Sequence, residues 1–187
     1  MAAGTSAHEM ATTAWERAAQ LEQEAAQQRE LAGRMAVAAE TEHRTARTLG
    51  RLTALGYRFL TDRSWPRGGA ANVDLVAIGP GGVFILDTKC WAETRVADGR
   101  IFRRGQDATG DLRSMVALLG IARTELADVG LPPALVVGVV VLAGRSGSHG
   151  QVSGLEVVGE REGPAFVARH GIRLDDHQVD ILVRRCQ

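Results

Sequence analysis

Asp74, Asp87 and Lys89 are the residues of this chain whose types and spacing could do chemistry. They sit in the stretch NVDLVAIGPGGVFILDTKCW, residues 72–91. Residues 73–78 and 83–89 are both rich in Val, Ile, Leu and Phe, and Gly79-Pro80-Gly81-Gly82 separates them. That pattern predicts two strands joined by a tight reversal. If the loop closes a hairpin, Ile78 faces Val83, and counting outward sets Asp74 opposite Asp87. The pleat then turns Lys89 to the same side as Asp87. Cross-strand partners have Cβ atoms about 4.5–5.5 Å apart, so two carboxylates and one ammonium converge on a small patch of an apolar sheet.

Such a patch is costly unless something compensates it. Two like charges ~4 Å apart repel by roughly 4 kcal/mol at an effective dielectric near 20. Either one carboxylate takes up a proton or a cation sits between them. A hard divalent ion suits oxygen donors: Mg²⁺ is commonly held by one or two carboxylates, waters and a substrate phosphate. Lys89 could then position a water or neutralise charge developing on a phosphate. The plainer alternative is a cross-strand ion pair at a sheet edge.

Composition favours the chemical reading. Of the 22 basic residues, every one but Lys89 is arginine. A bias that strong erodes any lysine that arginine can replace, and a compact ammonium is not interchangeable with a planar guanidinium. The formal net charge is zero, so nucleic-acid contact would have to come from a local patch. Two cysteines, Cys90 and Cys186, are too few for a disulfide framework and suit a reducing cytoplasm. Residues 1–30 lack the apolar segment of a secretory signal. The most apolar run, residues 134–143, is too short to span a bilayer, so no membrane contact is expected.

The elements that must position the three residues follow from periodicity. Residues 1–9 suggest a disordered lead. Residues 10–55 contain no proline and only two glycines, Gly33 and, near the end, Gly50, and predict a long helix broken near Gly33. Met10, Ala14, Leu21, Gln28, Leu31 and Met35 fit a 3.5-residue seam loosely. This leaves a weak coiled coil with self-association, or a solvated arm, both open. Met35, Ala38, Ala39, Ala46, Leu49 and Leu52 form a stripe that should dock on the sheet. Glu42 lies within that stripe. A carboxylate there needs a partner, either a cation shared with Asp74 and Asp87 or a nearby arginine. Glu40 competes for the role but lies off the stripe.

Residues 57–60 predict a first strand and 61–71 a loop carrying Arg63, Trp65 and Arg67. Residues 94–97 and 100–103 predict a hairpin turning at Asp98-Gly99. Arg95, Arg100, Arg103 and Arg104 cluster there; with Arg63 and Arg67 they form a candidate phosphate-contacting surface, or else a solvated set. Further on come a helix at 107–129, a buried strand at 135–142, a loop at 144–154, a strand at 155–158, and helices at 164–170 and 175–185. Strands apolar on both sides imply an α/β fold, a mixed central sheet flanked by helices. Cys90 is expected to pack as a small apolar group.

A helix glutamate, an aspartate on the next-but-one strand and D-x-K on the strand after it resemble the PD-(D/E)XK nuclease superfamily. More narrowly, residues 72–91, preceded by AAETEHRTARTLGRLTALGYRFL, resemble the nuclease-related domain, or NERD. The likeness covers residues 36–105 and continues beyond them only in element order. It implies a restriction-endonuclease-like αβββαβ core and a cytoplasmic protein acting in DNA processing. It further implies Mg²⁺ or Mn²⁺ held by Glu42, Asp74 and Asp87, with Lys89 assisting. The domain would occupy residues 34–187, after a lead and helical extension at 1–33. Gln106 stands where some relatives place a glutamine. The chain departs from the family pattern at Thr41, Leu75 and Cys90, where glycine, histidine and asparagine are common. The functions in competition are a metal-dependent phosphodiesterase, a nucleic-acid- or protein-binding module of low turnover, and a self-associating structural element.

Overall fold

The computed structural model describes residues 3–64 and 72–186, with side chains for 7–61 and 73–186. Helix α1 runs Ala3–Leu49. It is helical from its third residue, where a disordered lead is expected, and passes Gly33 without a break. The chain divides into two compact units, residues 1–40 and 41–187. In the first, the large apolar side chains Met10, Trp15, Leu21, Leu31, Met35 and Val37 are exposed.

Met35, Ala38 and Ala39, the part of the predicted stripe that falls in the first unit, are exposed. In the second unit the buried stripe is Thr41, Thr45, Leu49 and Leu52, at spacings of four, four and three. Two threonines take the places that hydrophobicity alone would give to Met and Ala. Their γ-methyl groups make them serviceable on an apolar face.

After α1 and a 3₁₀ turn at Gly50–Leu55 come β1 (Arg58–Ser64), β2 (Asn72–Gly79) and β3 (Gly82–Lys89). A small three-stranded sheet follows, β4 (Thr94–Ala97), β5 (Arg100–Arg103) and β6 (Gln106–Asp107), then α2 (Arg113–Ala127) and β7 (Val136–Leu142). β8 (Ser148–Val152), β9 (Leu155–Gly159), α3 (Gly163–Ala168) and α4 (Asp176–Cys186) close the chain. The main sheet has six strands in the order β1-β2-β3-β7-β9-β8. β1, β2 and β3 are antiparallel neighbours, and β3–α2–β7 is a parallel crossover. The fold is therefore α/β with a mixed sheet and the predicted α1-β1-β2-β3-α2-β7 order.

Three boundaries differ from expectation. β1 continues to Ser64, into the predicted 61–71 loop. β8 lies inside the predicted 144–154 loop: its SHGQV sequence is polar, with only Val152 buried, as an edge strand tolerates. The helix expected from residue 107 begins at Arg113, because Gln106–Asp107 adds a strand to the small sheet. The β4–β5 turn is as predicted, with positive φ at Asp98 (51°) and Gly99 (70°), the geometry of a type I′ reversal.

Burial sorts by pleat. Leu75, Ala77, Phe84 and Leu86 face one side, where Leu49, Leu52, Tyr57 and α3 cover them. Val76, Ile78, Val83 and Ile85 face the other, under α2 and α4. The β2–β3 turn is held by Tyr57, whose hydroxyl accepts from Gly81 N–H (3.2 Å) and donates to the Val167 carbonyl (3.3 Å). A Cβ at Gly79 would stand 2.4 Å from the Tyr57 ring, and one at Gly81 2.5 Å from its hydroxyl. Pro80 O accepts from the Arg173 and Leu174 amides at 2.7 and 2.9 Å. At the other end of the sheet Glu160 binds Arg44 Nε and Gly144 N–H, each at 2.7 Å. Burial pushes the Glu160 pKa up, but these donors outweigh it and the carboxyl stays below its ordinary range. The α1 segment after Glu40 is thereby tied to the strand end beside Lys89.

Candidate active site

The ladder between β2 and β3 pairs Ile78 with Val83, Val76 with Ile85 and Leu75 with Leu86. One step further in that register sets Asp74 across from Asp87. β7 holds the other edge of β3, pairing Asp87 with Val140 and Lys89 with Leu142, and Ala143 N–H donates to Lys89 O at 3.0 Å. Asp74 shares its parity with Val76, and Asp87 and Lys89 share theirs with Ile85. All three point to the α2 face.

Lys89 Nζ lies 2.8 Å from Asp87 Oδ2, and Thr88 N–H donates to Asp74 Oδ2 at 3.0 Å. All three side chains are half-buried. They open on a cavity of about 300 Å³ whose apolar walls include Ile85, Met115 and Leu118. Burial raises the Asp74 pKa from 3.8 to about 6, and the neighbouring Asp87 pushes in the same direction. The Thr88 N–H and the Lys89 charge oppose the shift without cancelling it. With Lys89 committed to Asp87, the set carries one excess negative charge.

The structure does not bring Glu42 to this cavity. Glu42 is half-buried on α1; Leu49 at the end of that helix and Leu52 in the 3₁₀ turn after it pack on the opposite face of the sheet. Among the described residues, no group of three His, Cys, Asp or Glu is placed to hold a metal ion. The donors that do converge still suit a hard divalent cation. Two carboxylates are sufficient protein ligands for Mg²⁺, which keeps several waters and takes substrate phosphate oxygens. The charge left uncompensated at Asp74 is what such an ion would relieve.

Sequence reasoning missed Asp111 and Ser114, which line the same cavity. Asp111 lies in the 3₁₀ turn leading into α2, where an acidic residue is also what the helix dipole favours. That ordinary explanation hides its position beside Asp74 and Asp87.

The arginines divide. Arg95 stacks over Phe102 (4.9 Å to the ring centroid) and Arg100 pairs with Asp107 (3.6 Å). Arg103 lies 5.6 Å from the Trp91 centroid, and Lys89 Nζ lies 5.9 Å from the same ring. Arg104 is exposed with φ 50°. Arg63 is on β1 opposite Val73; its side chain, and Arg67 altogether, lie outside the described residues. Cys90 is exposed, not packed as expected, because β3 ends at Lys89. Gln106 is exposed on β6.

A family model described as the nuclease-related domain, NERD, matches residues 38–143, just over half of the chain and all of α1's end through β7. No curated protein and no solved structure matches the chain. Among the described residues no helix is long and apolar enough to cross a membrane.

Proposed function

Because the chain belongs to the nuclease-related domain family, we propose that it is a metal-dependent phosphodiesterase acting on nucleic acid, with DNA as its substrate and Mg²⁺ or Mn²⁺ as its ion. The observation that carries this reading is the convergence of Asp74 and Asp87 with the chain's one lysine at an open cavity. Asp74 and Asp87 would hold the ion, which would neutralise phosphate charge and ease deprotonation of a bound water. Thr88 N–H fixes the Asp74 carboxylate, and Lys89 fixes that of Asp87. The Lys89 ammonium has further N–H donors to offer a phosphate oxygen on which negative charge accumulates. Met115, Leu118 and Ile85 keep that corner of low dielectric, which strengthens each of these contacts. Glu42 stands outside the cavity lining, so the pair Asp74–Asp87 bears the metal in this reading. A cytoplasmic location fits two cysteines that are unpaired.

Incubation of supercoiled, linear and single-stranded DNA with protein and Mg²⁺ or Mn²⁺ tests this directly. Cleavage of at least one form, lost in Asp87→Ala and Lys89→Ala, is the expected result. No cleavage of any form, or cleavage indifferent to both substitutions, rejects it.

One observation favours a second reading, a nucleic-acid-binding or protein-binding module of low turnover. Lys89 is already paired with Asp87, and no third carboxylate completes a metal-binding group among the described residues. Salt-dependent DNA binding with no cleavage would select this reading over the first. The exposed apolar residues of α1 up to Val37 support self-association through that helix; the same number of chains per particle, by sedimentation, with and without residues 10–35 would remove it.

A further inference from the structure

The small sheet presents a second cavity, lined by two arginines. β5 ends at Arg103, Arg104 follows in the left-handed conformation, and Gln106 opens β6. The turn is fixed by Arg104 N–H donating to Glu93 O at 3.2 Å. Arg103, Arg104 and Gln106, with Cys90, Trp91 and Ala92, line an open cavity of about 490 Å³, and among the described residues no carboxylate lines it. Trp91 lies close to a cation of each cavity. Its ring has Lys89 Nζ at 5.9 Å and the Arg103 guanidinium carbon at 5.6 Å, so those cations are no further apart than the two distances together. Arg95 and Arg100, on the same sheet, lie against Phe102 and Asp107 and do not line this cavity.

The geometry points to a subsite for a flanking backbone phosphate: a strand with one phosphate at Asp74, Asp87 and Lys89 passes Trp91 and places a neighbouring phosphate on Arg103, Arg104 and Gln106. The position of the first phosphate rests on the nuclease reading above. Guanidinium forks match phosphate oxygens bidentately, and Trp91 keeps Arg103 poised through its ring face. Phosphates along one strand of a duplex recur every ~3.4 Å of axis, so the two sites lie within a few nucleotides of each other. Contacts of this kind position a strand without reading its bases. The subsite therefore makes turnover depend on nucleic acid extending to one side of the cleaved bond.

Fluorescence anisotropy of a labelled single-stranded DNA oligonucleotide across a salt series, with Ca²⁺ in place of Mg²⁺, tests the assignment. Arg103→Gln and Arg104→Asn should each flatten the slope of log affinity against log salt by about 0.7, the value of one single-strand phosphate contact. Asparagine is chosen at 104 because it accepts the left-handed backbone. Arg95→Gln and Arg100→Gln should leave the slope unchanged. Equal flattening by all four variants, no flattening by Arg103→Gln and Arg104→Asn, or no binding by the wild type overturns the subsite. The slope pattern without any DNA cleavage would keep the subsite and reject the catalytic reading. Cleavage without the pattern would do the reverse.

Discussion

The two ends of the β2–β3 hairpin are built on opposite terms. At the turn, the Tyr57 ring fills the space beside Gly79 and Gly81 so closely that a methyl group would collide with it. Every polar group named there has a partner: Tyr57 through Gly81 and Val167, Pro80 O through Arg173 and Leu174. At the other end the same two strands carry Asp74, Asp87 and Lys89 to the wall of an open cavity, with one negative charge uncompensated. The closed end sets the register and the open end inherits it. A one-residue slip would reverse every side chain, sending Asp74 into the apolar face under α3. Chemistry at one end thus depends on packing at the other.

The largest effect expected from breaking this contrast is at the open end. Asp87→Ala should lower DNA cleavage by ~10³-fold, on the order of 4 kcal/mol of transition-state stabilisation, while the thermal midpoint moves little because the site is half-buried and contributes little packing. Steady-state cleavage beside a melting curve checks it; a variant that loses activity only in proportion to its unfolding would show that Asp87 is structural. At the closed end the outcome inverts. Gly79→Ala should destabilise by about 3 kcal/mol, since the Tyr57 ring and its hydrogen bonds must move. Urea unfolding measures it, and the fraction that stays folded should still cleave. A Gly79→Ala protein as stable as wild type would mean the ring is free to shift and does not set the register.

A smaller effect, of opposite sign, comes from Asp74. Its folded-state pKa of about 6 exceeds the ordinary 3.8, so without metal the folded protein binds the proton more tightly than the unfolded chain. Its contribution to stability is full below about pH 4 and is lost as pH rises through about 6. Asp74→Asn should therefore stabilise the metal-free protein at pH 8 by ~1–2 kcal/mol, the roughly two-unit shift at about 1.4 kcal/mol per unit reduced for a part-exposed group, and abolish that decline. The same variant should lose the rise in melting temperature that Mg²⁺ or Mn²⁺ gives wild type by binding the folded state. Denaturation in EDTA at several pH values, then with added metal, reads both. A less stable variant, or an equal metal-induced shift in both proteins, would contradict the account.

The parts of this contrast visible in the sequence are those written in local pattern. Gly79-Pro80-Gly81-Gly82 between two apolar runs specifies the hairpin, and counting from it locates Asp74 opposite Asp87. Asp98-Gly99 specifies the second turn, and the both-face apolar strands specify a covered sheet. What pattern could not supply is tertiary. Thr41 and Thr45 replace Met35 and Ala38 on the docked stripe because a methyl on a polar residue packs as well as one on an apolar residue, and periodicity scores only residue type. β8 is polar because it is an edge, so it reads as a loop. Asp111 and Ser114 reach the cavity from the 3₁₀ turn and the first turn of α2, a tertiary placement that no local pattern marks. The arginines look alike in sequence and differ in their partners, Phe102, Asp107 or Trp91.

Glu42 is where pattern and structure part most clearly, and it carries the smallest predicted effect. The family resemblance makes it the third metal ligand. The structure places it on the helix whose following turns, at Leu49 and Leu52, are buried against the sheet face opposite the cavity. If Asp74 and Asp87 suffice, with waters and phosphate oxygens completing the shell, Glu42→Gln should reduce cleavage by less than about tenfold, under ~1.4 kcal/mol. Its Mg²⁺ dependence should match wild type. Titrating cleavage against Mg²⁺ for wild type, Glu42→Gln and Asp87→Asn side by side makes the comparison. A Glu42→Gln loss as deep as that of Asp87→Asn, with a weakened metal response, would mean that α1 contributes its carboxylate once an ion is bound. The open end would then be assembled from both faces of the sheet, not from the hairpin alone.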